Sequence, residues 1–148
     1  MAAMSDYLEN KLIDYVFRGQ AYTPPGNTWI GLLSTATNDA NTGQVEVSGG
    51  NYSRVQVAAT LLNWSGTQST SATTTSTGTS GTTYNINAIT FPVPTGANWG
   101  VITAFGMYDA ATGGNLLFYG NLTTPKTVNN GDAAPTFSAS ALSIQLDN

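Results

Sequence analysis

The stretch from Asn98 to Pro135, NWGVITAFGMYDAATGGNLLFYGNLTTPKTVNNGDAAP, reads as a β-meander. Alternation places Val101, Thr103, Phe105 and Met107 on one face of a strand and Ile102, Ala104 and Tyr108 on the other. After an interruption, Leu116, Phe118 and Leu122 alternate with Leu117, Tyr119 and Asn121. The interruption, Asp109 to Asn115, is a turn. Gly113 and Gly114 can take positive φ without a Cβ clash, so the two strands fold back as an antiparallel hairpin. A second turn follows at Asn129 to Asp132.

On either side of the meander the pattern continues in short pieces. Thr28 to Ser34 is apolar on both faces, as a buried strand is. Val55 and Val57 alternate with polar neighbours, and Leu61 to Trp64 are expected to continue that strand or pair with it. Ala88 to Phe91 is a short strand ended by Pro92 and Pro94, and Leu142, Ile144 and Leu146 form a half-buried closing strand. Ahead of them all, Ser5 caps a helix over 5–18 whose first turn holds Asp6 and Glu9, where the helix dipole favours acids. Leu8, Leu12, Tyr15 and Val16 form its apolar stripe, widened by Ile13 and Phe17, and Asp14 and Arg18 are spaced for an ion pair. The stripe either covers one end of the β core or docks the protein onto another subunit. The whole is a mainly β chain, an antiparallel β-sandwich or jelly-roll-like domain over residues 1–148 with one N-terminal helix.

The segment Ser65 to Thr83, SGTQSTSATTTSTGTSGTT, has almost no side chain to bury, so it is expected to be a flexible loop or arm. Threonine's β propensity leaves open a ribbon ordered by a neighbouring subunit, with Thr74 and Thr77 at its centre.

Composition narrows the chemistry. Only 8% of the 148 residues are charged, against roughly a quarter in an average domain. Hydroxyls and amides must therefore wet the surface. Such a surface has weak long-range repulsion and many hydrogen-bond partners, which suits packing against neighbours in an assembly. The net charge is −4 and the basic residues Lys11, Arg18, Arg54 and Lys126 are scattered, so nucleic-acid binding is not expected. There is no cysteine and no histidine, which removes disulfides, thiolate sites and the usual triads and zinc centres. The start, MAAMSDYLENKL, has no basic region followed by an apolar one and no window approaches a membrane span, so a cytosolically made, soluble chain with no membrane partner is expected.

What remains for catalysis is carboxylates, and Asp109 and Asp132 are the candidates for paired-acid chemistry, though both sit in turns that favour Asp for its backbone hydrogen bonds. Asn38 to Gly43 has oxygen ligands at alternate positions like the start of a calcium loop, but the position that needs a bidentate glutamate is Gly50; Glu46 could serve another geometry. Trp29, Trp64 and Trp99 could form a sugar-stacking platform if one exposed face gathered them. No catalytic, cofactor or metal site is expected.

The blocks SDYLENKLIDYVFRGQAYTPP, WIGLLSTA, EVSGGNYSRVQV, ITFPVPT, WGVITAFGMYDAATGGNLLFYG and KTVNNGD, in this order over nearly the whole chain, resemble a family of small tailed-bacteriophage virion proteins labelled tail fibre or head-decoration proteins. The resemblance implies a non-enzymatic structural role in the virion. The Ser/Thr-rich segment lies between matching blocks and looks like a lengthened loop. Two readings compete. One is a capsid decoration (cement) protein that binds the major capsid protein and copies of itself; the other is a tail fibre or baseplate component that binds tail proteins and contacts the host surface. The chain shows neither repeats nor coiled-coil heptads, which favours the capsid. A carbohydrate-binding virion domain is a third reading, from another class. In the structural readings the residues expected to reach neighbours are Leu8, Leu12 and Val16 on the helix and Thr74 and Thr77 in the arm.

Overall fold

A computed structural model describes residues 2–146. Its centre is the expected meander. Strand β7 (Gly100–Tyr108) and strand β8 (Leu116–Val128) form an antiparallel pair, joined by a turn in which Gly113 and Gly114 have φ of 58° and 73°. Strand β2 (Asn27–Thr35) lies on the other side of β7, with Trp29 opposite Tyr108 and Leu33 opposite Ala104. Two short strands share the far edge of β2: β3 (Val45–Glu46) pairs with Leu33 and Thr35, and β4 (Val55–Ala58) with Asn27 to Ile30. Strand β1 (Ala3–Met4) closes the opposite edge against Phe118 and Tyr119 of β8, giving a six-stranded antiparallel sheet.

Two ribbons complete the β structure, β5 (Thr82–Tyr84) with β10 (Ser143–Gln145) and β6 (Ile89–Thr90) with β9 (Thr136–Phe137). Buried Ile89, Phe91, Leu142 and Ile144 join Ile30, Leu32, Ile102, Phe105 and Met107 of the large sheet in one core cluster. Phe137 sits edge-on to both Phe91 and Phe105, with centroids 6.2 and 6.0 Å away. The mainly β, antiparallel reading with one helix holds. The layer facing the large sheet consists of two short ribbons, however, where a jelly roll would carry a second full sheet. Leu61 to Trp64 form a turn in place of the expected strand, and Trp64 makes an isolated bridge to Asn85.

The register of β7 against β8 shifts twice, once between Met107 and Tyr108 and more strongly between Ile102 and Ala104. Ile102 faces Lys126 and Ala104 faces Asn121, so two steps on β7 (102 to 104) stand against five on β8 (126 to 121) and β8 carries three extra residues. A bulge of this kind turns the strand and changes which face a side chain serves. Ile102 and Phe105, of opposite parity, therefore both enter the core, while Val101 is 49% exposed. The Thr103 hydroxyl donates to the Ser34 carbonyl.

The helix α1 (Asp6–Phe17) begins as expected at Ser5, whose side chain accepts from the Leu8 amide. The same hydroxyl donates to the Leu116 carbonyl and the Ser5 amide to that of Leu117, which ties the helix start to β8. Arg18 caps its end, Gly19 follows with φ of 66°, and Arg18 pairs with Asp14 at 3.0 Å. Among the described residues no helix is long and apolar enough to cross a membrane.

Candidate functional site

Three features of this framework are candidates: a buried polar cluster, the uncovered part of the helix with the Ser/Thr-rich loop, and a cleft beside the bulged part of β8.

The cluster fills a gap in the sheet. Between the stretches paired by β3 and β4, the Leu32 carbonyl on the β2 edge accepts from the Val47 amide, but the Leu32 amide has no backbone partner, and left bare it would be costly. The Tyr52 hydroxyl accepts from the Leu32 amide at 2.8 Å and donates to Glu46 Oε1 at 2.9 Å. Gly31 stands opposite Gly106, and a Cβ on Gly31 would lie 2.8 Å from the Glu46 carboxylate, so the glycine leaves room for it. Arg54 completes the arrangement: Nε and Nη2 donate to the two Glu46 oxygens at 2.8 Å each, and the guanidinium lies 3.5 Å from the Tyr108 ring centroid. Its Nη1 donates to the carbonyls of Ala110 and Gly113, which pins the hairpin turn.

Burial alone would lower the Arg54 pKa, but the hydrogen bonds and charge of Glu46 outweigh it and raise it. Burial pushes the Tyr52 hydroxyl well above its ordinary value and raises that of Tyr108. The Arg54 guanidinium is thus held charged and the two tyrosine hydroxyls neutral. The cluster positions strands; it offers no free base beside a nucleophile. Sequence reasoning missed it, although opposite charges at Glu46 and Arg54, close together in a chain of few charges, were a visible signal.

The carboxylate candidates are turn caps. Asp109 accepts from the Asn115 amide and side chain, each at 2.7 Å, and Asp132 accepts from the Asn129 amide at 2.7 Å. The oxygens of the Asn38 to Gly43 loop are already engaged: Asn38 Oδ1 accepts from the Thr42 amide within the loop, and Asp39 accepts from the Tyr119 hydroxyl of β8. Among the described residues no three acidic side chains gather as a metal site would need. Nor do the tryptophans share a face: Trp99 is buried with its indole donating to the Gly50 carbonyl, Trp64 packs on the core cluster, and Trp29 stands outside that cluster.

The helix divides in two. Leu8 is buried and Tyr7 and Leu12 pack against the core, so Leu8 is held within the domain and is closed to neighbours. Past Leu12 the apolar face is open, with Ile13, Val16 and Phe17 at 49%, 63% and 80% exposure. The Ser/Thr-rich segment is a loop bonded to itself. The Gln68 amide donates to Thr74 Oγ1 and to the Thr75 carbonyl and accepts from the Thr77 amide, while Thr67 and Gly78 exchange hydrogen bonds. A Cβ on Gly78 would meet the Thr67 carbonyl oxygen at 2.3 Å, so the close approach requires glycine. Thr82 and Thr83, at its end, already belong to β5. Thr74 and Thr77 are exposed.

The cleft, of about 760 Å³, runs between the second half of β8 and the segment from Asp132 to Ser143. Its floor is core: Leu32, Phe91, Ile102, Phe105, Phe137 and Leu142. Its rim along β8 is polar, with Asn121, Thr123, Thr124, Lys126 and Thr127 exposed. Asp132 and Ser143 stand across from them.

No curated protein matches the chain. The family described as "Podophage GP4 fiber I protein gp80" matches it over residues 3–145, from the first strand to the last, and the chain belongs to that family of phage virion proteins.

Proposed function

We propose that the protein is a non-enzymatic component of a podophage tail fibre, and that it works as one folded unit built to be packed against neighbours. The family match over residues 3–145 carries this reading, because the family's description names a fibre. It favours the tail over the capsid-decoration reading, whose support was the absence of repeats and heptads. A short domain that contributes one segment of a fibre, with other chains supplying the length, needs neither.

The open half of the helix supports assembly. Ile13, Val16 and Phe17 present a contiguous apolar surface at i, i+3 and i+4, the spacing through which helices pair. Copies of this chain are the proposed partners, joined helix to helix; little charge opposes their approach. The self-bonded loop at 66–81 is a second surface, with Thr74 and Thr77 at its outside.

Gold-labelled antibody against the purified protein, applied to intact virions, tests the location. Label confined to the tail is the expected result. Label spread over the capsid lattice would return the protein to the decoration role and refute the fibre assignment.

A further inference from the structure

We propose that the cleft beside β8 binds a short, neutral saccharide. The volume of about 760 Å³ falls within the range of roughly 300–1,000 Å³ typical of small-ligand sites. Phe91, Phe105 and the aliphatic floor residues are covered by the fold, and the ring left half-buried in the cleft is Phe137, held edge-on between Phe91 and Phe105, so its position is set before any ligand arrives. Sugars offer just such a surface a face of C–H groups and a perimeter of hydroxyls.

The rim supplies the matching perimeter. The side chains of Asn121, Thr123, Thr124 and Thr127 take no part in the hydrogen bonds among the described residues, so their donors and acceptors are free for a ligand. Lys126 and Asp132 line the same cleft and cancel in charge. A site for a phosphate or an acidic sugar would carry an excess of cations, which this one lacks.

An extended peptide fits less well. It would need an unbroken strand edge to add to, and here β8 carries its three extra residues and Pro125, devices that break a ladder. A lipid would leave the hydroxyl rim unpaired. The saccharide inference goes beyond the fibre assignment and does not depend on it, since the site is complete in one chain.

The test uses the purified full-length protein on an array of neutral and acidic oligosaccharides of two to four units, followed by calorimetric titration with the strongest neutral binder. Ala141→Trp places an indole in the cleft from an exposed position, and Thr127→Val and Asn121→Ala remove rim partners. The expected outcome is saturable binding of a neutral sugar, weakened about tenfold or more by Ala141→Trp and severalfold by either rim change, with melting temperature unchanged. Should Ala141→Trp fail to fold, the two rim variants decide. Binding to nothing on the array, to acidic sugars alone, or equally by wild type and variants would overturn the proposal. Tail labelling would survive any of those results, so the two ideas fail separately.

Discussion

Replacing Arg54 by alanine is expected to destabilise the fold by about 3–4 kcal/mol, and the estimate follows from what the side chain touches. Arg54 is 7% exposed and Glu46 26%, so the ion pair is mostly but not wholly removed from water. Breaking a buried pair by deleting one partner costs about 3–5 kcal/mol, because the charge left behind has lost its compensation. Glu46 can recover some hydration through its exposed quarter, which brings that part to about 2–3 kcal/mol. The carbonyls of Ala110 and Gly113 lose a charged donor, but they lie in an exposed turn that water can reach, adding about 0.5 kcal/mol each. For a domain of this size the loss corresponds to a fall in melting temperature of about 10 °C.

Urea denaturation of the wild type and variant measures the total. Hydrogen exchange adds a local readout, because the Asp109 and Asn115 amides close the hairpin turn that Arg54 holds and should exchange faster in the variant. Arg54→Met combined with Glu46→Gln should cost less than Arg54→Ala alone, since no unpaired charge remains. A loss below about 1 kcal/mol for Arg54→Ala, with turn exchange unchanged, would refute the view that this cluster holds the strands together.

The tyrosines predict alkaline sensitivity: burial raises the Tyr52 and Tyr108 hydroxyls above 10.0, and the Asp39 hydrogen bond pushes Tyr119 up to about 12. Their folded-state pKa values are raised, so their contribution to stability is full below pH 10 and lost as pH rises through the folded values; urea midpoints equal at pH 9 and pH 11 would contradict this. Trp99→Phe removes the indole bond to Gly50 and should cost about 1–2 kcal/mol more than Trp64→Phe, because the buried Trp64 indole nitrogen has no partner to lose; matched denaturation curves check it. Val16→Glu with Phe17→Glu should leave the melting temperature within about 2 °C, as both residues are exposed, yet shift the sedimentation coefficient toward the monomer if copies pair through α1. Replacing residues 68–79 by a short Gly-Ser turn should change stability by less than about 1 kcal/mol, since that loop is bonded chiefly to itself; a larger loss in urea titration would mean it braces the core.

The local elements were legible because their causes are local. Ser5 as cap, the Asp14 and Arg18 pair, the paired glycines at 113 and 114 and the turn at Asn129 to Asp132 each follow from residues a few positions apart. The Ser/Thr-rich segment was misleading in a specific way. Composition said correctly that it buries little, but order there comes from one glutamine, Gln68, reaching across the loop, and from a glycine, Gly78, that lets the backbones meet. The polar cluster joins Gly31, Glu46, Tyr52, Arg54 and Tyr108 from four separate stretches of chain, and no periodicity within any one of them encodes that meeting. Spacing drew the helix stripe as one face, but the core covers only its first half, at Leu8 and Leu12, because the helix is anchored to the start of β8 through Ser5, a contact outside the helix itself.

The larger of the two register shifts between β7 and β8 lies where the cleft forms, and shift and cleft have a common origin. Three extra residues in β8 cannot be absorbed in the ladder with β7, so residues 122–125 leave the pairing. Their departure turns Asn121, Thr123 and Thr124 outward as a wall, and it lets Ile102 and Phe105 serve the same side as a floor. A regular hairpin of the same composition would have closed over that floor and satisfied its own edge. Unregistered length and a proline in a strand are costs to the isolated domain, and sequences concentrate such costs where something other than stability is being served. Deleting Thr123 to Pro125, which keeps the core-packed Leu122, should therefore restore a continuous ladder and raise stability while abolishing the cleft. A deletion variant less stable than the wild type in urea would show that the bulge is needed for packing, and would remove the reason for treating the cleft as a site.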